Sequence, residues 1–153
     1  MGVVASLIEL SPAEIEACRS DPAALQRFLS DAARPRCDLD KAWAGLHFLF
    51  VHGDYEFEAA MLDDERARKM GGYDVLFVSP RDMPILADNF EWEGRAADLA
   101  KYYDPARMAG IYPDIWAREG DKALEYLLSF VPALRRFTDG AASRGHGAVV
   151  VIG

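Results

Sequence analysis

The run Ala148-Val149-Val150-Val151-Ile152 is apolar at every position. A strand with one wet face alternates apolar and polar residues, so an unbroken run asks for burial on both faces. That one segment constrains the fold most, because its sheet must be covered from both sides. Residues 3–10 read as a first strand, and Tyr73-Asp74-Val75-Leu76-Phe77-Val78 as a second, buried by its composition. Three short strands among six or so helices predict an α/β fold in three layers. In it a small central sheet of a few strands is covered by several helices.

The helix signals are local and mechanistic. Ser11-Pro12-Ala13-Glu14 can form a capping box, with proline where no N–H is needed. Asp21-Pro22 repeats the start signal for a second helix to about Asp31, with Leu25, Phe28 and Leu29 on one face. Over residues 39–51, Leu39, Ala42, Trp43, Leu46, Leu49 and Phe50 fall on one arc, which predicts a packed helix capped by Asp38 and ended by Gly53. Residues 54–70 are polar and mixed in charge, and read as a surface excursion closed by Gly71-Gly72. Ser79-Pro80 predicts the next helix, residues 94–103 a further one, and Leu124, Leu127 and Leu128 another. Pro132 cannot lie inside a helix without losing a hydrogen bond, so a new helix begins there, and Gly145 stops it.

The chain has 153 residues, which fits a single domain able to build a core without disulfides or metal. Its net charge of -8 disfavours phosphate backbones and anionic membrane surfaces, so neither nucleic acid nor a membrane is an expected partner. The charge fits a solvated cytoplasmic protein, or one that meets a basic surface. Cys18 and Cys37 lie too far apart for a redox or zinc pair and read as free thiols in a reducing compartment. The opening residues lack the pattern of a signal peptide, and no apolar run approaches the ~20 residues of a membrane helix.

The best candidate for chemistry lies on the helix predicted at 39–51. At about 100° per residue, Asp40, Ala44 and His47 form a stripe beside the apolar arc, with Trp43 between them. Asp40 and His47 are separated by a rise of roughly 10 Å, too far for a catalytic dyad, but both can line one groove with Trp43 as a stacking wall. Each also has a structural alternative. Asp40 suits a helix N-terminus, Trp43 a core anchor, and His47 a half-buried histidine bonded to backbone. Tyr112, Pro113 and Trp116 either roof such a pocket, form an exposed patch, or seal the core beneath a loop.

Other motifs are weaker. His52-x-Asp54-x-Glu56-x-Glu58 holds a hard cation only if extended, and Ala59 stands where a calcium loop needs glycine, so a solvated acidic loop is expected and no metal site. Gly145-His146-Gly147 precedes a strand rather than a helix and reads as a turn. No Gly-x-Ser-x-Gly elbow occurs.

The segment Leu39-Asp40-Lys41-Ala42-Trp43-Ala44-Gly45-Leu46-His47 resembles the signature of the YfbM-like bacterial family, DUF1877. Met1-Gly2, Gly72-Tyr73, Ile111-Tyr112-Pro113 followed by Trp116, Tyr126-Leu127, Ala141-Ala142 and the closing strand extend the resemblance over essentially the whole chain. It implies a three-layer α/β fold in one cytoplasmic domain, and it implies no activity.

Three kinds of function follow. One is a binding or interaction protein with a protein partner or small ligand and no cofactor. Another is a hydrolase-like enzyme with a pocket of Asp40, Trp43, His47, Tyr73, Tyr112 and Trp116. A metal-dependent activity through residues 52–58 is a third. No catalytic residue can be named, and oligomeric state is not encoded in any pattern seen.

Overall fold

The computed structural model describes residues 2–153. Five strands form one antiparallel sheet: β1 (Ala5–Leu10), β2 (Arg36–Asp40), β3 (Arg68–Met70), β4 (Tyr73–Val78) and β5 (Gly147–Ile152). Their order is β2-β1-β5-β4-β3, so the C-terminal strand lies in the middle. All six residues of β5 are buried, as the unbroken apolar run requires. Side-chain alternation divides its neighbours between two cores. Ala148, Val150 and Ile152 face one, and Val149 and Val151 the other.

The smaller core is closed by two helices, α1 (Pro12–Ser20) and α2 (Pro22–Ser30), through Ile15, Cys18, Ala24 and Leu25. Their starts follow the sequence signals. Ser11 and Glu14 complete the capping box, and Asp21 accepts a hydrogen bond from the Ala23 N–H. On the other face lie α3 (Trp43–His52), α4 (Glu56–Met61), α5 (Met83–Glu91), α6 (Arg95–Ala100), α7 (Trp116–Glu119), α8 (Asp121–Leu128) and α9 (Val131–Ser143). The sheet thus has helices on both faces and makes a three-layer α/β fold.

Several expectations need correction. There are five strands, not three, among the described residues. The helix predicted from residue 39 begins at Trp43, and Arg36–Asp40 is an edge strand. Burial along that strand alternates, with Cys37 and Leu39 inside and Arg36, Asp38 and Asp40 outside. This period of two fits the free edge of β1, and pairing there overrides the helical spacing that Leu39 also satisfies. Asp38 is no helix cap, because its carboxylate accepts a hydrogen bond from the Ser6 hydroxyl across the strands. The excursion at 54–70 holds α4, a 3-10 turn at Asp64–Arg66 and β3. The helix after β4 starts at Met83 rather than at Ser79, whose hydroxyl accepts from the Asp82 N–H in the preceding turn.

One polar cluster fastens the end of α9 to the sheet. Glu9 on β1 is buried, and its carboxylate accepts two hydrogen bonds from Arg144, at 2.7 and 2.6 Å. His146 Nδ1 stands 2.8 Å away. The Arg144 guanidinium holds the Glu9 carboxyl below the usual carboxylate range.

Candidate functional site

A groove of about 910 Å³ lies between α3, α4 and the loop at 108–112. Helix α3 contributes Trp43, Ala44, His47, Phe48, Val51 and His52, which recur at helical spacing on one face. Phe48 and His52 pack against each other with their rings tilted by 46° and centroids 4.1 Å apart. The loop adds Gly110, Ile111 and Tyr112. Tyr112 and Trp43 are both fixed by the N-terminal segment. The Val3 N–H donates to the Tyr112 hydroxyl at 2.8 Å, and the Trp43 indole N–H donates to the Val3 carbonyl at 3.1 Å. These bonds hold both rings in place beside the groove, the Trp43 N–H as donor and the Tyr112 oxygen as acceptor.

The opposite rim is acidic. Glu56 comes from α4, and Asp63, Asp64 and Glu65 come from the turn that follows, with Arg66 as the one guanidinium among them. None of these five side chains is in an ion pair among the described residues. Asp63 also accepts the Glu65 N–H, but an aromatic floor beside carboxylates outside any ion pair suits an organic cation, whose charge faces the carboxylates while its apolar stem lies on the rings.

Three of the six predicted pocket residues meet here: Trp43, His47 and Tyr112. The other three do not. Asp40 ends β2 with a positive φ of 48°, and its carboxylate accepts a hydrogen bond from the Tyr126 hydroxyl at 2.8 Å. Burial, and then this bond to Asp40, push the Tyr126 hydroxyl up to about 12. Tyr73 lines a separate hollow with Val4, Ser6 and Gln26. Trp116 is fully buried, and its indole N–H donates to the Ile111 carbonyl at 2.8 Å. Asp40 is therefore not among the residues that line the groove with His47. The sequence alone missed Phe48, His52 and the acidic rim. The helical stripe could have given the first two, but nothing at 63–65 distinguished a rim from a solvated turn.

The 52–58 carboxylates are also dispersed. Glu56 and Glu58 lie within α4 rather than on an extended strand, and Glu58 turns inward. Among the described residues no group of three or more His, Cys, Asp and Glu could hold a metal ion. No helix among them is long and apolar enough to cross a membrane.

Glu58 instead fixes the groove wall. Its Oε1 accepts a hydrogen bond from the Asn89 side-chain amide at 2.6 Å, tying α4 to α5, while Oε2 is buried without a partner. Burial pushes its carboxyl up, so the folded state resists ionisation. Raising pH above the ordinary carboxylate range ionises Glu58 in the unfolded chain first, and that linkage erodes stability. Glu58→Gln keeps the acceptor and removes the ionisation. The variant should therefore gain on wild type at pH 7 relative to pH 4, read from urea unfolding at both. An equal difference at both values would mean that Glu58 ionises freely in the fold.

The chain is a small protein of three-layer α/β fold with a groove on its helical side. The chain belongs to the DUF1877 family, a domain of unknown function, whose family model matches residues 1–151. It is similar to the solved structure of YfbM from Escherichia coli, a protein of unknown function, with a TM-score of 0.76 at 16% identity. That match covers 98% of this chain and 99% of the other, and it shows the shared fold. No curated protein matches the sequence.

Proposed function

We propose that this is a non-catalytic, single-domain binding protein of the bacterial cytoplasm, whose groove receives a basic, partly apolar segment of a protein partner. The observation that carries this is the pairing of an aromatic floor with an unpaired carboxylate rim in one concavity. Lysine and arginine stems lie well on aromatic surface while their heads reach carboxylates. The net charge of -8 adds long-range attraction for a basic partner and repels nucleic acid. Two buried free thiols suit a reducing compartment.

The test is a thermal-shift titration with a short synthetic peptide alternating arginine and leucine, and with its glutamate counterpart. At 100 times its dissociation constant the basic peptide should raise Tm by roughly 5–10 °C. The shift should shrink with added salt. It should disappear in Asp64→Lys/Glu65→Lys and weaken in His47→Ala. Absence of any shift, or a shift that survives the charge reversal, would reject the groove as the docking site.

A further inference from the structure

A second concavity has the opposite chemistry. Where α5 turns into α6, a hollow of about 430 Å³ opens against the end of α8 and the first turns of α9. Trp92, Glu93, Arg95, Pro132, Arg135 and Arg136 are among its walls, and it shares no lining residue with the groove. Three arginines in one hollow are conspicuous in a chain where acids outnumber bases by 25 to 17. No carboxylate pairs with Arg95, Arg135 or Arg136 among the described residues. The start of α9, which has no side-chain cap, borders the hollow through Val131 and Pro132, next to Leu128 at the end of α8.

Arg95 is built in rather than waving in solvent. It is only 8% exposed. Its Nε donates to the Asn89 carbonyl at 2.8 Å, and its guanidinium stacks over Tyr55 at 4.1 Å and Trp92 at 5.1 Å. The Trp92 ring lies against Gly94, where an added Cβ would come within 2.5 Å of it. Even so, Trp92 remains 54% exposed, the highest value among the large apolar side chains. A rigid, open indole beside unpaired guanidinium groups offers a stacking surface next to an anion site. The volume lies within the small-molecule range of about 300–1,000 Å³.

We infer that this hollow is a second binding site, for a small aromatic anion of the mononucleotide class. The ring stacks on Trp92, and the phosphate is held by Arg135 and Arg136 against the start of α9. Arg95 fixes the indole and adds charge beneath it. Glu93 at the rim repels every anion alike, a cost that stacking on Trp92 offsets. The site is independent of the cation-binding groove and stands or falls separately.

AMP is the probe, followed by tryptophan emission and by titration calorimetry. Trp43 is 7% and Trp116 0% exposed, so an accessible-tryptophan signal reports Trp92. AMP should quench that emission saturably, and inorganic phosphate should compete only weakly. Arg135→Gln/Arg136→Gln changes two exposed side chains and should weaken AMP about tenfold with circular dichroism unchanged. Trp92→Leu should abolish tight binding in calorimetry, which needs no indole signal. Two results overturn the proposal: no saturable binding of AMP to wild type, even where a glutamate-rich peptide binds, or equal affinity in the arginine variant.

Discussion

Replacing Trp116 by alanine should destabilise the fold by about 4 kcal/mol, the usual range for emptying a buried aromatic site. For a chain of this size that is a fall in Tm of about 12 °C. Trp116 is 0% exposed, and its ring packs so closely on Gly45 that a Cβ there would come within 2.5 Å of it. The indole N–H also satisfies the Ile111 carbonyl, and the Trp116 carbonyl accepts a hydrogen bond from the Tyr103 hydroxyl. Alanine leaves a cavity and takes away one of the two hydrogen bonds the Ile111 carbonyl accepts, the Asp114 N–H remaining at 2.8 Å. Trp116→Phe fills most of the volume but still loses the donor, and should cost about 2 kcal/mol. Urea unfolding followed by circular dichroism measures both. A loss below about 1 kcal/mol for alanine would mean that Trp116 is a pocket wall rather than a core anchor. Ile111 and Tyr112 both line the groove, so the alanine variant should also weaken whatever the groove binds.

The same tryptophan shows what the sequence could and could not reveal. Tyr112, Pro113 and Trp116 lie close together along the chain, so all three are candidates for one roof. Backbone geometry separates them: Tyr112 faces the groove, while Trp116 opens α7 and points into the core. The stripe on α3 was legible because helical spacing is a local property, and Trp43 and His47 share the face it predicted. Asp40 was not, because its place depends on whether residues 36–40 pair with β1 or continue the helix. Both patterns are satisfied by Leu39, and only the pairing partner decides. The three residues of β3 carry too little pattern of their own, and they are a strand only because β4 folds back on them. Caps and proline stops were read correctly at Ser11, Asp21 and Pro132, since each acts on its own neighbours. The central strand was legible for another reason: burial on both faces removes the polar residues from every position.

Gly145-His146-Gly147 provides the second large effect, because its two glycines serve different purposes. Gly145 has a φ of +69°, with nothing within 4 Å of where a Cβ would lie, so its requirement is conformational. Gly145→Ala should cost about 1 kcal/mol, the left-handed penalty alone. Gly147 is different. It begins β5 against Leu10, and a Cβ there would fall 2.2 Å from the Val78 carbonyl oxygen and 3.0 Å from the Pro80 nitrogen. Glycine in a strand is ordinarily weaker than alanine by roughly 0.5–1 kcal/mol, so alanine should help if propensity decided the matter. Here the clash is with backbone, which cannot rotate away. Either β5 or the turn after β4 must shift, and Gly147→Ala should cost about 3 kcal/mol, at the upper end for overpacking. Ile15 also approaches, with its Cδ1 2.7 Å from the added Cβ. Trimming it separates the two sources of strain. Adding Ile15→Val to Gly147→Ala should recover little, because the Val78 carbonyl stays where it is. Full recovery in urea unfolding would assign the strain to the isoleucine side chain and show that β4 and β5 can part at this end without loss.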